Sequence, residues 1–130
     1  MISQSATSGI EWLYEKAIRD NSVSSADDHC VCTKLPAYKD TALSKDRHLV
    51  VLTISSYLFR IVALFTFKND QVTNEHMARM CKSQAPELDE QALSDAYAEL
   101  VNMVCGAVNR GLGTPFPHVG MSTPFTLESS

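Results

Sequence analysis

Hydrophobic residues near the start of the chain follow helical spacing. Positions 10, 13, 14, 17 and 18 are apolar and lie three or four residues apart, so they share one face of a helix. Ser8 and Glu11 stand three residues apart near the start of this face, and such a pair can satisfy free backbone donors at a helix N-terminus. The pattern predicts a first helix over residues 9–20.

Two runs in the middle of the chain are rich in Val, Ile, Leu, Phe and Thr. They cover residues 48–54 and 58–67, and a short polar bend at 55–57 joins them. Because these residue types favour strands, the pattern predicts a β-hairpin in a well-buried sheet. Residues 21–47 before the hairpin are mostly polar, and a short alternating piece at 31–35 predicts an edge strand.

A second helix is predicted directly after the hairpin. Thr73 is a suitable N-cap for it, and Met77, Met80 and Cys81 follow helical spacing and are expected to face inward. Met103, further along the chain, is likewise interpreted as core filler, because methionine packs well in irregular apolar gaps.

The third and longest predicted helix begins near Leu88 or Asp89 and ends near the glycine signal at Arg110 and Gly111. Five apolar positions form its core-facing side: Tyr97, Leu100, Val101, Val104 and Val108. A last strand is predicted at residues 119–127. Because helices and antiparallel-type strands are segregated along the chain, we expect an α+β fold with helices packed on an antiparallel sheet.

The opposite side of the third helix carries a polar stripe, formed by Asp95, Glu99, Asn102 and Gly106. Most polar helix faces are simply solvated. This one lacks the usual mixture of Lys and Glu, and Gly106 lies inside the helix, where it costs roughly 1 kcal/mol relative to alanine. The stripe is therefore the candidate working surface, with the glycine leaving room for a close approach.

Composition limits the classes of function. The chain has 130 residues, 45% of them hydrophobic and 20% charged, which is typical of one globular domain spanning residues 1–130. A formal net charge of −4, without any longer Lys/Arg cluster, argues against a nucleic-acid binder. The most apolar stretch, 49–67, is interrupted by polar residues and is a poor membrane span. Since the sequence shows no export signal, we expect a cytoplasmic protein with reduced cysteines.

The residues of the polar stripe carry a resemblance to a known family. Asp95-x3-Glu99-x2-Asn102, followed by Pro124, resembles the signature of the CheC/CheX/FliY family of response-regulator phosphatases, with CheX-like single-site members closest. The segment "DAYAELVNMVCGAVNRGL" is similar to the family's signature helix, and "MSTPFTL" resembles the strand after it. When the order of the upstream elements is included, the resemblance covers residues 48–127.

The resemblance implies a function. The substrate would be a CheY-type response regulator phosphorylated on an aspartate, and the reaction would be hydrolysis of that aspartyl phosphate. Glu99 would pair with the regulator's active-site lysine, and Asn102 would orient the attacking water. Asp95 and Gly106 would belong to the docking face. The resemblance implies no cofactor or metal in this chain, because the Mg²⁺ belongs to the regulator, and likeness to CheX implies a homodimer formed by sheet pairing.

Three departures from the family qualify this interpretation. Some relatives have a second Glu-x-x-Asn on the first helix. Here the residue three positions after Glu11 is Tyr14, and the one three positions after Glu15 is Ile18, so one site per chain is expected. The polar loop before the hairpin is longer than expected. Relatives carry further strands after the Pro124 segment, so a sequence ending at Ser130 suggests missing C-terminal strands or a sheet completed by a partner chain.

Three hypotheses follow from these observations: a phosphatase, a regulator-binding module of the same fold without hydrolysis, and a purely structural dimerising domain. A water-orienting amide favours the first. A zinc site at His29, Cys30 and Cys32 is a weaker alternative, because no second matched pair of ligands follows at a recognisable spacing. On a strand, the two cysteines would simply share one face.

Overall fold

The computed structural model describes residues 4–23, 25, 28, 30–34, 47–81, 89–113, 116 and 118–128. Within these ranges the chain forms three helices packed on a four-stranded antiparallel sheet, which confirms the predicted α+β class. In chain order the elements are α1 (Gln4–Asn21), β1 (Arg47–Ser55), β2 (Arg60–Lys68), α2 (Gln71–Met80), α3 (Glu90–Leu112), β3 (Gly120–Met121) and β4 (Phe125–Glu128). None of these helices combines the length and hydrophobicity that crossing a bilayer would need.

β1 is the central strand of the sheet. It pairs with β2 over its whole length in the predicted hairpin, and its other edge pairs with both β3 and β4. The single strand predicted at 119–127 is thus two short strands. Between them the Ser122 N–H donates to the Thr53 carbonyl over 2.8 Å, and then Pro124, which has no N–H to donate, interrupts the ladder.

The hydrophobic core lies between α3 and the helix-facing side of the sheet. Val50, Leu52 and Ile54 alternate along β1 and are at most 1% exposed. The five core positions predicted on α3 are all buried: Tyr97, Leu100, Val101, Val104 and Val108. The helical spacing therefore identified correctly the face by which α3 packs on the sheet.

α3 ends later than the sequence predicted. The helix continues to Leu112, and the Gly113 N–H donates to the Asn109 carbonyl over 2.9 Å. Gly111 is not an end signal but a contact residue, because a Cβ added to it would lie 2.6 Å from Cδ2 of Leu13 on α1. The glycine lets the two helices approach closely.

Two helix starts also differ from the prediction. α1 begins at Gln4, so Ser8 lies inside the helix and is not its N-cap. α2 is capped by Asp70, whose Oδ1 accepts from the Thr73 N–H over 2.9 Å, so Thr73 is the third helical residue. The α3 start is as predicted, with Asp89 as N-cap. In each case the acceptor must stand just before the first free N–H groups.

Two further expectations are wrong. Residues 31–34, the described part of the expected edge strand, form no strand. Cys81 is exposed just after α2, whereas Met77 is buried and Met80 packs against the core. Cys81 follows the last helical residue, so the helical spacing no longer determines where its side chain points.

Candidate functional site

The predicted polar stripe lies on the solvent side of α3. Asp95 and Glu99 are exposed, and Asn102 and Gly106 are half-buried. The opposite side of the same helix is packed into the core, so the backbone that carries the stripe is held in place. The structure thus places the four residues together on one accessible face of a well-supported helix.

Glu99 and Asn102 form the central pair of the stripe. Neither forms a hydrogen bond or ion pair with any other residue in the described ranges. They lie three residues apart, about 4.5 Å along the helix axis and about 60° around it, so both can reach one target. Asp95 differs, because its Oδ1 accepts from Gln91 Nε2 over 3.0 Å. The arrangement offers a partner one carboxylate and one amide.

Gly106 lies one turn after Asn102. A Cβ built on it would be 3.5 Å from Nη1 of Arg110 and 3.9 Å from Cε of Met121, both ordinary van der Waals distances. The chain's own packing therefore does not require a glycine at this position. The Arg110 guanidinium lies over the surface beside Gly106, which the sequence interpretation missed.

Met103 is not core filler, contrary to the sequence interpretation. Its side chain is 45% exposed, next to Asn102 in sequence and one turn after Glu99. That spacing from Glu99 was the available signal, because residues four apart share a helix face. Met121, on β3, is also exposed and approaches the stripe at Gly106. An apolar flank therefore accompanies the polar stripe.

A cluster on the inner side holds the N-terminal half of α3 in place. The Tyr97 ring stacks on His48 at 4.8 Å and lies 4.3 Å from Phe67, measured between centroids. The Tyr97 hydroxyl donates to Oδ1 of Asn74 on α2 over 3.2 Å. Burial, and secondarily the charge of Asp70, raise the pKa of Tyr97 to about 12. The neutral phenol thus ties α3 to the sheet and to α2.

A second inner contact joins α3 to α1. The Tyr14 hydroxyl lies 3.8 Å from Sγ of Cys105, which is fully buried. Burial raises the pKa of both the phenol and the thiol. A buried neutral thiol is a poor nucleophile, so Cys105 serves packing rather than chemistry.

The candidate zinc ligands gain no third donor in the described part of the chain. Cys30 and Cys32 are partly exposed beside α1, and burial together with Cys32 raises the pKa of Cys30. Cys32 Sγ lies 3.9 Å from the Glu15 carbonyl oxygen. No three His, Cys, Asp or Glu side chains converge among the described residues; His29 lies outside them.

No protein-family model matches the sequence, and no curated protein matches it either. Solved structures are similar to it, among them two bacterial proteins. One is a CheC-like superfamily protein from Shewanella sp. PV-4, with 20% identity, a TM-score of 0.73, and coverage of 93% of this chain and 77% of that chain. The other is the chemotaxis protein CheX from Vibrio vulnificus, with 19% identity, the same TM-score, and coverage of 92% and 78%.

Both similarities extend over more than nine-tenths of the chain. At this level of identity they establish architecture, and the family resemblance noted in the sequence agrees with them. The chain has the CheC/CheX-like α+β fold.

Proposed function

We propose that this chain is a phosphatase that hydrolyses the aspartyl phosphate of a CheY-type response regulator. The observation that carries the proposal is the pair Glu99 and Asn102, which lie one turn apart on an accessible, well-supported helix face and have no polar side-chain partner among the described residues. The fold supports it, because one structural neighbour is a chemotaxis protein CheX. The family signature in the sequence points to the same two residues.

In this mechanism Glu99 and Asn102 have different roles. The Glu99 carboxylate pairs with the regulator's active-site lysine and so anchors the complex. The Asn102 amide enters the regulator's site beside the acyl phosphate. Because an amide both donates and accepts hydrogen bonds, it can hold a water in line with phosphorus. The water oxygen bonds to phosphorus, the bond to the aspartyl oxygen breaks, and inorganic phosphate and a free aspartate result.

The remaining stripe residues serve docking. Asp95 supports the contact face, since its carboxylate is already hydrogen-bonded to Gln91. Gly106 adds no side chain of its own to the docking face between Asn102 and the Arg110 guanidinium, so the regulator can approach closely there. The chain supplies no cofactor in this proposal; magnesium chemistry belongs to the regulator, which holds the ion beside its own phosphoryl group. We expect the protein to act in the cytoplasm, because such a regulator works there.

We also propose that the protein forms a homodimer by sheet pairing. Within the described ranges β2 pairs on one side only, with β1, and no described strand pairs with its other edge. Val62 and Leu64 on this strand are exposed apolar residues. A free strand edge with apolar side chains favours association with a second copy.

The phosphatase proposal is tested by mixing the protein with phosphorylated response regulators and following the loss of phosphate. We expect acceleration that Asn102→Ala nearly abolishes while regulator binding is retained. Glu99→Ala should weaken binding instead. Glu90→Ala, which removes an exposed acid from the first turn of the same helix, is the matched control and should change neither quantity.

The outcomes separate the hypotheses. If no regulator from the same cell loses phosphate faster in the presence of the protein, the phosphatase proposal is wrong. Binding without acceleration would instead identify the chain as a regulator-docking module. If the protein neither binds a regulator nor accelerates its loss of phosphate, the structural, dimerising role remains.

A further inference from the structure

Arg110 carries a positive charge that no described residue neutralises. It is the one basic residue in the sequence of α3, it is exposed, and it forms no ion pair in the described part of the chain. α1 is different: its Lys16 pairs with Asp20 at 3.0 Å and its Arg19 with Glu15 at 3.7 Å, each one turn away. On α3 the position one turn before the arginine is Gly106.

The side chain of Arg110 lies over that glycine. Long side chains on a helix extend back over the preceding turn. Here Nη1 ends 3.5 Å from the position that a Gly106 Cβ would occupy. Gly106 is itself about 6 Å along the axis from Asn102. The guanidinium is therefore displaced toward the site proposed above and away from the C-terminus of α3.

A purely structural role for Arg110 explains this placement less well. A basic residue in the last turn stabilises a helix by interacting with its free terminal carbonyl groups. The last four carbonyls of α3 belong to residues 109–112, and those of Asn109 and Leu112 already accept from the N–H groups of Gly113 and Phe116. The guanidinium beside Gly106 lies one turn before them, on the solvent side, where it faces an approaching partner.

We propose that Arg110 is a phosphoryl-binding residue, which rests on the phosphatase function proposed above. Along the stripe a carboxylate, an amide and a guanidinium follow one another at Glu99, Asn102 and Arg110. A docked regulator presents a lysine and a phosphoryl group, so the charges are complementary in the same order. The planar guanidinium fork matches phosphate oxygens, and positive charge there stabilises the transferring group.

The proposal is tested by comparing two forms of one regulator, without and with beryllium fluoride, which imitates the phosphoryl group. Arg110→Ala should lower the affinity for the beryllium-fluoride form by about 10- to 100-fold, the range expected for a lost hydrogen bond between charged groups. Affinity for the form without the anion should stay unchanged. Arg110→Lys should recover part of the loss, because a point charge replaces the fork. The rate of phosphate loss is measured alongside.

Arg19→Ala is the matched control, because it removes an exposed arginine from α1 and should alter neither affinity. Equal weakening of both regulator forms by Arg110→Ala would show a general docking role and overturn the proposal. The proposal is also wrong if Arg110→Ala leaves the rate of phosphate loss and the anion preference unchanged while the protein without the substitution is active. The phosphatase function would then still stand. An unaltered protein without any activity or binding overturns both proposals together.

Discussion

At the scale of single residues, two glycines of α3 have opposite surroundings. A Cβ on Gly106 would meet its nearest neighbour, Arg110 Nη1, at 3.5 Å. A Cβ on Gly111 would meet Leu13 Cδ2 at 2.6 Å and Cδ1 at 3.2 Å, so the terminal methyl groups of Leu13 would have to shift, whereas Cγ at 3.5 Å is an ordinary contact. A side chain at Gly111 would therefore disturb a helix contact, whereas one at Gly106 would not, and this contrast can be measured.

Gly106→Ala should raise the free energy of unfolding by up to about 1 kcal/mol, because alanine has the higher helix propensity and the added methyl meets only ordinary contacts. Urea denaturation measures this change. The same variant should bind a response regulator several-fold more weakly, since the methyl occupies the proposed clearance. A stabilised variant with unaltered binding would show that Gly106 has no docking role.

Gly111→Ala should lower the free energy of unfolding by about 1 kcal/mol, because overpacking against Leu13 outweighs the gain in helix propensity. Gly106→Ala is the matched control on the same helix. Should both variants be equally stabilised in urea denaturation, Leu13 moves aside freely and the close helix contact contributes nothing.

At the scale of elements, α3 is held from two sides. Tyr97 connects it to β1, to β2 and, through Asn74, to α2, while Gly111 and Cys105 contact α1. These contacts lie on the inner side and leave the polar stripe accessible. A rigid helix presents Glu99 and Asn102 at a constant separation, which is what a positioning mechanism needs.

The phenol of Tyr97 makes stability depend on pH at alkaline values. Its pKa rises from the ordinary 10.0 to about 12 in the fold. Between these values the unfolded chain loses a proton that the folded chain keeps, so the free energy of unfolding should fall as pH rises from about 10 to 12. Below about pH 10 this contribution is fully present.

Tyr97→Phe tests whether this phenol causes the alkaline loss of stability. Denaturant unfolding should show a loss of about 1 kcal/mol at neutral pH, because the hydrogen bond to Asn74 is gone. The free energy of unfolding of the variant should decline less steeply between pH 10 and 12 than that of the unaltered protein. Tyr14 contributes equally to both. An identical decline in the two proteins would assign the alkaline sensitivity to other groups.

At the scale of the whole molecule, the helices cover one side of the sheet and leave apolar residues on the strands exposed. Val62, Leu64 and Phe125 are 63%, 43% and 62% exposed. Exposed apolar residues close to a free strand edge favour association between chains. The homodimer proposed above would cover part of this surface.

Leu64→Lys should shift the protein from dimer to monomer, because a lysine on an edge strand opposes pairing with a second strand. Sedimentation at several concentrations measures the shift. Val72→Lys, at an exposed apolar position on α2, is the matched control and should remain dimeric. A chain that is monomeric before any substitution would contradict sheet pairing directly.

The sequence by itself determined the α+β class, the hairpin, the core face of α3 and the placement of Glu99 and Asn102 on its solvent side. These features depend on spacing between near neighbours, which the regular geometry of helices and strands converts directly into faces. The same spacing could have shown that Met103 lies on the solvent side.

Tertiary structure alone decided which distant residues meet. The contact of Gly111 with Leu13, the approach of Met121 to Gly106, and the division of the last strand at Ser122 and Pro124 depend on how separate elements pack. No local pattern encodes such meetings, because they result from the balance of burial and hydrogen bonding over the whole chain. The placement of the Arg110 guanidinium beside Gly106 is likewise visible only in the folded protein.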